Sequence, residues 1–358
     1  MMKLKTHTDT VAAEKGLKGI KMELYYYHTM NKQQQGVYHA MKMGFLSLAS
    51  SFFCPRLEGR ELTDVFMKLR LDCPEIFYVS GFHFRFYPDS ANVELFPEYL
   101  FDKNKVREHQ KAMKSRVEKI VRFASGMSES EKEQYVHDFV CQNVRYDKLK
   151  KAYSHEIIGP LGHGVGVCEG IAKTVKILCD QLGIWCIVVI SEANPEKHIK
   201  YRHAWNVVRV GGVYYHLDAT FDNTLSHIGP VRYDYFNLDD GKMFRDHEPV
   251  IWPIPSCVSG DGFYYLEKKL SFTKMEEVEK RALQAAKKGK ELIFHWRGGT
   301  LNKETASQML TLFRQVGEKK SKYPRVSINW PQAVIVVEFL NEMPAQELVT
   351  EEANEGEQ

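Results

Sequence analysis

The sequence predicts an α+β protein in which a helix that begins at a cysteine packs on an antiparallel sheet. Three observations predict this class. From Cys168 to Leu182 the apolar residues recur every three or four positions, which is the spacing of one helix face. Two β-rich runs flank Gly211-Gly212, which is a strong hairpin signal. After residue 272 helix and strand patterns alternate, which favours a further small α+β unit.

Length and patterning divide the chain into four parts. The chain has 358 residues, and domains average about 150 residues, so the length suggests about two domains. Residues 1–125 form a mixed α/β region, 126–268 a central domain and 269–340 a C-terminal α+β appendage. Residues 341–358 contain six Glu and no Lys or Arg, which predicts a disordered acidic tail.

Composition excludes several classes of protein. Apolar residues make up 44% of the chain, which is too many for a disordered protein. No run approaches the roughly 20 apolar residues of a membrane helix, and no signal peptide is visible at the N-terminus. The seven cysteines are irregularly spaced without a Cys-x-x-Cys pair, which predicts reduced thiols and a cytoplasmic protein.

Charge gives no reason to expect nucleic acid as a partner. The formal net charge is only +3. The basic stretch 102–123 is compatible with a nucleic-acid surface or with a solvated helix face. Asp102, Glu108 and Glu118 interrupt the basic residues, and no aromatic stacking pattern accompanies them, which favours the solvated face. No metal or other cofactor is expected, because the sequence has no His-x-x-x-His helix and no EF-hand loop.

Cys168 is the first candidate for chemistry. Gly162, Gly164 and Gly166 precede it, and Gly183 ends the helix that it begins. A cysteine on the first turn is favoured as a thiolate by the helix dipole and by the N–H groups of that turn. The alternative is that Cys168 is a small buried apolar residue, as most cysteines are.

His203 and Asp218 are the second candidate pair. Extending the hairpin register from its two-residue turn places His203 opposite Thr220 and Trp205 opposite Asp218. Asp218 is then a diagonal neighbour of His203 on the same face, within reach of the imidazole. A carboxylate at this position can fix the imidazole tautomer and stabilise its charged form. The alternative is a structural histidine on a strand.

A cysteine that begins a helix, followed by a His–Asp pair, is an arrangement for acyl transfer through a thioester. At this point the sequence resembles a family. Three segments resemble the core motifs of the transglutaminase-like superfamily, whose fold is related to papain-like cysteine proteases. They are Gly-Val-Cys168-Glu-Gly-Ile-Ala, His203-Ala-Trp-Asn-Val-Val and Tyr215-His-Leu-Asp218-Ala-Thr-Phe-Asp.

The resemblance covers roughly residues 128–266, and Asp246-His247 resembles part of the segment after the third motif. Residues 20–125 resemble the leader regions of bacterial multi-domain members. The resemblance implies a papain/transglutaminase-like core over 126–268, with a nucleophile helix on an antiparallel sheet.

The same resemblance implies three catalytic roles: Cys168 as nucleophile, His203 as general acid and base, and Asp218 as the residue that orients His203. The expected partner is a peptide or protein substrate, and hydrolysis of amide bonds is favoured. The alternatives are a cross-linking transglutaminase and a catalytically inactive interaction module. The oligomeric state is left open.

Four further residues are candidates for contacts near the site. Tyr146 is a candidate oxyanion donor, and His163 is the polar residue of the glycine-rich segment before Cys168. Glu169 either gates access or holds the adjacent loop, and the loop role is favoured. Trp205 is expected to pack beside the site rather than to act in it.

Overall fold

The computed structural model of the chain describes residues 23–197, 199, 201–226, 229–343 and 349–351. The α-helices are α1 Tyr25–His28, α2 Lys32–Leu46, α3 Gly59–Asp72, α4 Lys103–Ala124, α5 Glu129–Asn143, α6 Cys168–Leu182, α7 Ala219–Leu225, α8 Asp240–Met243, α9 Tyr264–Glu267, α10 Met275–Lys288 and α11 Lys303–Glu318. The strands are β1 Phe52–Pro55, β2 Val79–Phe86, β3 Asn92–Tyr99, β4 Arg145–Tyr146, β5 Val165–Gly166, β6 Trp185–Ile190, β7 Ala204–Val210, β8 Val213–Leu217, β9 Phe236–Leu238, β10 Ser271–Phe272, β11 Leu292–Trp296, β12 Tyr323–Asn329, β13 Val334–Leu340 and β14 Val349–Glu351. None of the helices in these ranges has the length and apolar character needed to span a membrane.

The centre of the fold is helix α6 on an antiparallel sheet. The sheet has the strand order β6-β7-β8-β9, and α6 packs against β6 and β7. The inward face of α6 is fully buried, for example at Val175, Leu178 and Cys179. The predicted α+β class, with a cysteine-initiated helix on an antiparallel sheet, is therefore confirmed.

Helix α5, which leads towards the site, begins where a capping box predicts it. The Ser128 hydroxyl accepts the N–H of Glu131, and the Glu131 carboxylate accepts the N–H of Ser128 at 2.8 Å. Ser130 and Glu133 fit the same sequence pattern, but they lie inside the helix. Glu133 is buried instead and accepts from the side-chain amide of Asn237 at 3.1 Å.

Two hydrophobic cores divide the described residues. The first contains side chains from Tyr26 to Tyr265 and includes Val334. It joins the antiparallel sheet β1-β3-β2 and helices α2 and α3 to the sheet beneath α6. The second contains side chains from Phe272 to Phe339. The four-part division of the chain given above stays a prediction.

The C-terminal part forms a mixed five-stranded sheet in the order β10-β11-β13-β12-β14. Strands β11, β13 and β12 are antiparallel, whereas β10 and β14 run parallel to their neighbours. The predicted helices and strands between residues 273 and 340 are confirmed. Of the predicted acidic tail, residues 344–348 and 352–358 lie outside the described residues, and residues 349–351 form β14.

Candidate active site

Cys168 is the first residue of α6, as its position after the glycine-rich segment predicts. A neighbouring loop is tied to this helix start, because the N–H of Val167 donates to the carbonyl of Ser154 at 3.0 Å. Gly170 allows that loop to approach, since a Cβ there would lie 2.2 Å from the Ser154 oxygen. The Cys-Glu-Gly sequence therefore places a thiol on the first turn beneath a closely packed loop.

The hairpin that carries His203 has the predicted register over its strands. Val210 pairs with Val213, and the ladder continues to Asn206 opposite Leu217. Gly211 and Gly212 have φ values of +58° and +82°, which a tight two-residue turn requires.

The predicted extension of this register beyond the strands is wrong. Strand β8 ends at Leu217, and Thr220 lies in helix α7 rather than opposite His203. Asp218 also leaves the ladder, so it does not pair with Trp205. The reason is a helix cap: the Asp218 carboxylate accepts the N–H groups of Thr220 and Phe221 at 2.8 and 3.2 Å.

His203 and Asp218 nevertheless meet. His203 Nε2 lies 2.7 Å from Asp218 Oδ2. Asp218 is fully buried, and the His203 side chain is 14% exposed. A hydrogen bond also joins His203 to the Cys168 side chain. Because Nε2 is engaged by Asp218, Nδ1 is the ring nitrogen available to Cys168. The three side chains thus form one hydrogen-bonded chain.

The electrostatics of this chain favour a protonated imidazole beside a carboxylate. Burial lowers the pKa of His203, but the Asp218 carboxylate and the Cys168 sulfur raise it, and the result is about 10. Burial raises the pKa of Asp218, but the charge of His203 and the hydrogen bonds from His203 and His247 bring it well below its usual range. The two residues are therefore an ion pair over most of the accessible pH range.

We expect this pair to make folding stability depend on pH. A raised pKa at His203 contributes stability that is complete below about 6.5 and is lost as the pH rises towards 10. A lowered pKa at Asp218 contributes stability that is present above about 4 and is lost in acid. Urea unfolding should show the free energy of unfolding falling by about 4 kcal/mol between pH 6.5 and 10 from His203 alone. His203→Gln should reduce this alkaline slope, and an unchanged slope in that variant would contradict the ion pair.

Trp205 lies against the imidazole of His203. The two rings are 5.8 Å apart at an interplanar angle of 19°, and Trp205 is buried. The indole N–H donates to His216 Nδ1 at 3.0 Å, and His216 Nε2 lies 2.9 Å from Asp240. Because indole can only donate, Nδ1 of His216 carries no proton and Nε2 donates to Asp240. The hydrogen bond to His216 therefore fixes the orientation of the Trp205 ring.

Glu169 lies in a group of charges rather than at an open entrance. Its carboxylate is 2.7 Å from Lys173, 3.3 Å from Arg70 and 3.5 Å from His155. Burial raises the pKa of Glu169, but Lys173 and Arg70 bring it well below the usual range. Arg70 comes from α3, so this group joins the N-terminal part of the chain to helix α6. These contacts favour the loop-holding role for Glu169 over gating.

Tyr146 and His163 flank the segment that precedes Cys168. Tyr146 is half-buried on β4 and pairs with Gly166 on β5. His163 ends a π-helical turn over Gly159–His163, is exposed, and lies 4.6 Å from the ring of Tyr153. The contribution of Tyr146 and His163 to an oxyanion or substrate site stays a prediction.

His247 is the neighbour of the site that the motifs did not assign. Its Nε2 lies 3.0 Å from Asp218 Oδ2, and its Nδ1 lies 2.9 Å from Asp246. The sequence offers a signal, because Asp246-His247 lies in the segment that resembles the region after the third motif. This signal could not place His247 in the site, because His247 is 29 residues from Asp218 in the sequence and no strand pair connects the two residues.

Among the residues that the structure describes, two groups of side chains have the composition of metal sites. They are His203, Asp218 and His247, and His216, Asp240 and Cys257. Two ligands on a tetrahedral ion at about 2.1 Å would lie about 3.4 Å apart. The 2.7 and 3.0 Å contacts of Asp218 are shorter and match hydrogen bonds.

The second group also fits a hydrogen-bonded network better than a metal site. A metal on Nε2 of His216 would leave that ring without a proton, since the indole N–H occupies Nδ1. Metal-bound histidines normally donate from their second nitrogen, which His216 could not do here.

The segment that contains Cys168, His203 and Asp218 is similar to a known family. Residues 114–219 match the model of the transglutaminase-like superfamily. This part of the chain is transglutaminase-like. The resemblance that the three sequence motifs indicated is thus confirmed for these residues, whereas Asp246 and His247 lie outside the match. No curated protein matches the chain.

Two solved structures are similar to part of the chain. The first is described as a TGase, with 13% identity over 40% of this chain and 44% of the other, at a TM-score of 0.29. The second is a proposed cysteine protease from Cytophaga hutchinsonii, with 15% identity over 39% of this chain and 61% of the other, at a TM-score of 0.24. The chain spans less than two thirds of either structure, and the similarity is too distant for a comparison of individual residues.

Proposed function

We propose that this protein is a cysteine-dependent acyl-transfer enzyme that acts on peptide or glutaminyl amide bonds through a thioester at Cys168. The observation that carries the proposal is the hydrogen-bonded chain from Cys168 through His203 to the buried carboxylate of Asp218. The match of residues 114–219 to the transglutaminase-like superfamily supports amide chemistry for this chain.

The first half of the reaction forms the thioester. The proton of Cys168 is held on Nδ1 of the charged His203, and the sulfur attacks the amide carbonyl carbon. The backbone N–H groups of the first turn of α6 are the donors nearest to a developing oxyanion. His203 then gives its proton to the leaving nitrogen, so that the C–N bond breaks as the C–S bond remains. Asp218 holds the imidazole in the required tautomer throughout.

The second half resolves the thioester. His203 takes a proton from a water molecule, whose oxygen attacks the same carbon, and the Cys168 sulfur leaves and regains a proton. A lysine amine in place of water would give a cross-link instead. The two outcomes share every residue of the site and differ in the acceptor alone.

The charges of the loop around residues 192–202 support water as the acceptor. The Glu192 carboxylate is 3.8 Å from Arg202, and Lys197 is 2.5 Å from Glu248. The negative charges in these pairs are therefore balanced and attract a cationic amine weakly. Residues 198 and 200 of this loop lie outside the described residues.

We expect hydrolysis to exceed amine incorporation on glutaminyl or other peptide substrates, even with alkylamine in large excess. The measurement is a competition between release of ammonia or free acid and incorporation of a labelled alkylamine. Cys168→Ala should eliminate both signals, since both products come from the same thioester.

Dominant incorporation at millimolar amine would contradict the preference for hydrolysis and identify a transferase with the same three residues. Absence of both products over a broad peptide panel would contradict the enzyme proposal and favour an interaction module.

A further inference from the structure

A second imidazole binds the buried carboxylate of the candidate triad. Oδ2 of Asp218 lies 2.7 Å from Nε2 of His203 and 3.0 Å from Nε2 of His247. Oδ1 accepts the N–H groups of Thr220 and Phe221. A carboxylate has about four acceptor positions, so this set of donors occupies it. Asp218 is therefore fixed from one side by the helix that it caps and from another by His247.

The contacts of His247 require it to carry a positive charge. Its two ring nitrogens each lie near a carboxylate, Asp218 at 3.0 Å and Asp246 at 2.9 Å. A carboxylate only accepts, so both nitrogens must donate, and only the protonated ring has two N–H groups. The side chain of His247 is 1% exposed. Burial lowers its pKa, but the two carboxylates raise it to about 9, which agrees with the geometry.

The C-terminal part of the chain reaches this group through Asp246. The side-chain amide of Gln332, in the loop between β12 and β13, lies 3.4 Å from Asp246 Oδ1, and its N–H also donates to the carbonyl of Lys242 at 3.2 Å. The hydroxyl of Tyr235 donates to Asp246 Oδ2 at 2.6 Å. Hydrogen bonds therefore run from Gln332 through Asp246 and His247 to Asp218.

We propose that His247 is a positioning residue for the candidate triad, which holds Asp218 by a hydrogen bond and moderates with its charge the proton affinity of the Cys168–His203 pair. The inference rests on the proposed function for the roles of those residues. The imidazole rings of His203 and His247 are 5.3 Å apart. A like charge at about 4–6 Å disfavours the protonated form of its neighbour, so that the neighbour takes up its proton about 1–3 pH units lower.

The groups that face His247 come from several elements. The ionised ones are Asp218, Asp246 and His203. Tyr235 lies 5.6 Å away ring to ring, and the charge of His247 acts on His216 by lowering its pKa, after burial as the larger cause. Removal of the positive charge at His247 therefore leaves the two carboxylates as the dominant charges around the imidazole of His203.

The test is the pH dependence of alkylation by iodoacetamide at Cys168, located by mass spectrometry of peptides. It needs no substrate. His247→Gln keeps a side-chain N–H for Asp218 but removes the positive charge. The acid limb of the profile, which is the pH range over which the alkylation rate rises, should therefore move to higher pH by about 1 unit or more. Asp246→Asn removes a negative charge from the same group, so its acid limb should move down. Opposite shifts are specific to charge, whereas a purely structural role would alter rates without moving the limb.

The matched control is His137→Gln. His137 forms the same kind of bridge, at 3.1 Å to Asp138 and 3.0 Å to Asp222, and its carboxylate partners do not include Asp218. Its profile should stay within a few tenths of a pH unit of the wild type. Thermal melting establishes that each variant is folded. If His247→Gln does not fold, Asp246→Asn decides.

An acid limb that coincides with that of the wild type in a folded variant overturns the inference, whichever variant provides it. The proposed function fails separately, if the wild type turns over no amide or if Cys168 is not the thiol that reacts first.

Discussion

Cys168→Ala is expected to lower amide turnover by about 10⁴-fold or more, because no other group of the site can form the thioester. The protein should remain folded. Cys168 is the first residue of α6, alanine favours the helix, and the change removes one sulfur atom from a 6% exposed position. We expect the free energy of unfolding to change by about 1 kcal/mol. The measurements are turnover of a peptide substrate and urea unfolding of the same preparation.

Cys141→Ala is the matched control for this prediction. The Cys141 sulfur lies 3.6 Å from Nε2 of His137, so the chain contains a second Cys–His contact. Cys141 lies in the last turn of α5, where the helix dipole opposes a thiolate. Burial, as the largest cause, raises its pKa. Its removal should leave turnover unchanged, and iodoacetamide should modify Cys168 first. Activity that survives Cys168→Ala, or that disappears with Cys141→Ala, would show the assignment of the nucleophile to be wrong.

Local patterns were sufficient to predict most of the central elements. The start of α6 at Cys168, its end at Gly183 and the register around Gly211-Gly212 each depend on neighbouring residues, and all three are observed. Helix starts with a capping box were also predictable, as at Ser128. In each case the energetic preference is set within a few residues along the chain, so sequence spacing is enough.

The sequence prediction was wrong where two local structures compete for the same residue. Asp218 can continue β8 opposite Trp205 or can cap α7. The cap satisfies two backbone N–H groups that would otherwise lack partners at the helix start, and the ladder therefore stops at Leu217. His203 and Asp218 still meet because Asp218 directly follows Leu217 at the end of β8, and His203 directly precedes β7, the strand that pairs with β8.

Contacts between distant parts of the chain were outside the reach of the motifs. Glu169 is adjacent to Cys168, but its partner Arg70 comes from the N-terminal part of the chain. Gln332 reaches Asp246 from the C-terminal sheet. No periodicity or spacing within the central motifs reports such pairs. The parts of the chain before and after the transglutaminase-like segment therefore contribute charges and hydrogen bonds to the surroundings of the site.

Asp218→Asn is the second change with a large expected effect. The new amide can accept at its oxygen from Thr220 and Phe221, but its nitrogen donates where the carboxylate accepted from His203. His203 must then accept at Nε2 and keep its proton on Nδ1, the nitrogen that faces Cys168. In this tautomer it cannot take the thiol proton. A fall in turnover of about 10⁴-fold is expected, as for the corresponding change in serine proteases.

The same variant should also be less stable. His203 and His247 are buried and share the carboxylate of Asp218, and the variant removes the negative charge that compensates both imidazoles. Removal of one partner from a buried group of charges costs about 3–5 kcal/mol. The loss of stability must therefore be separated from the loss of catalysis, by expressing turnover per folded molecule at a temperature well below the unfolding transition.

Asp222→Asn provides the comparison that isolates catalysis. Asp222 is also fully buried, accepts from His137 at 3.0 Å and accepts backbone N–H groups of Asp234 and Tyr235. Its replacement should also lower stability, because it alters the acceptor of a buried imidazole and of two backbone N–H groups. Turnover per folded molecule should change little, since the hydrogen-bond partners of His137 are Asp138, Asp222 and Cys141 rather than the groups of the proposed triad. If both aspartate variants lose turnover in proportion to their loss of stability, the buried carboxylate at 218 supports the fold rather than the tautomer of His203. A loss confined to Asp218→Asn is the result that the geometry predicts.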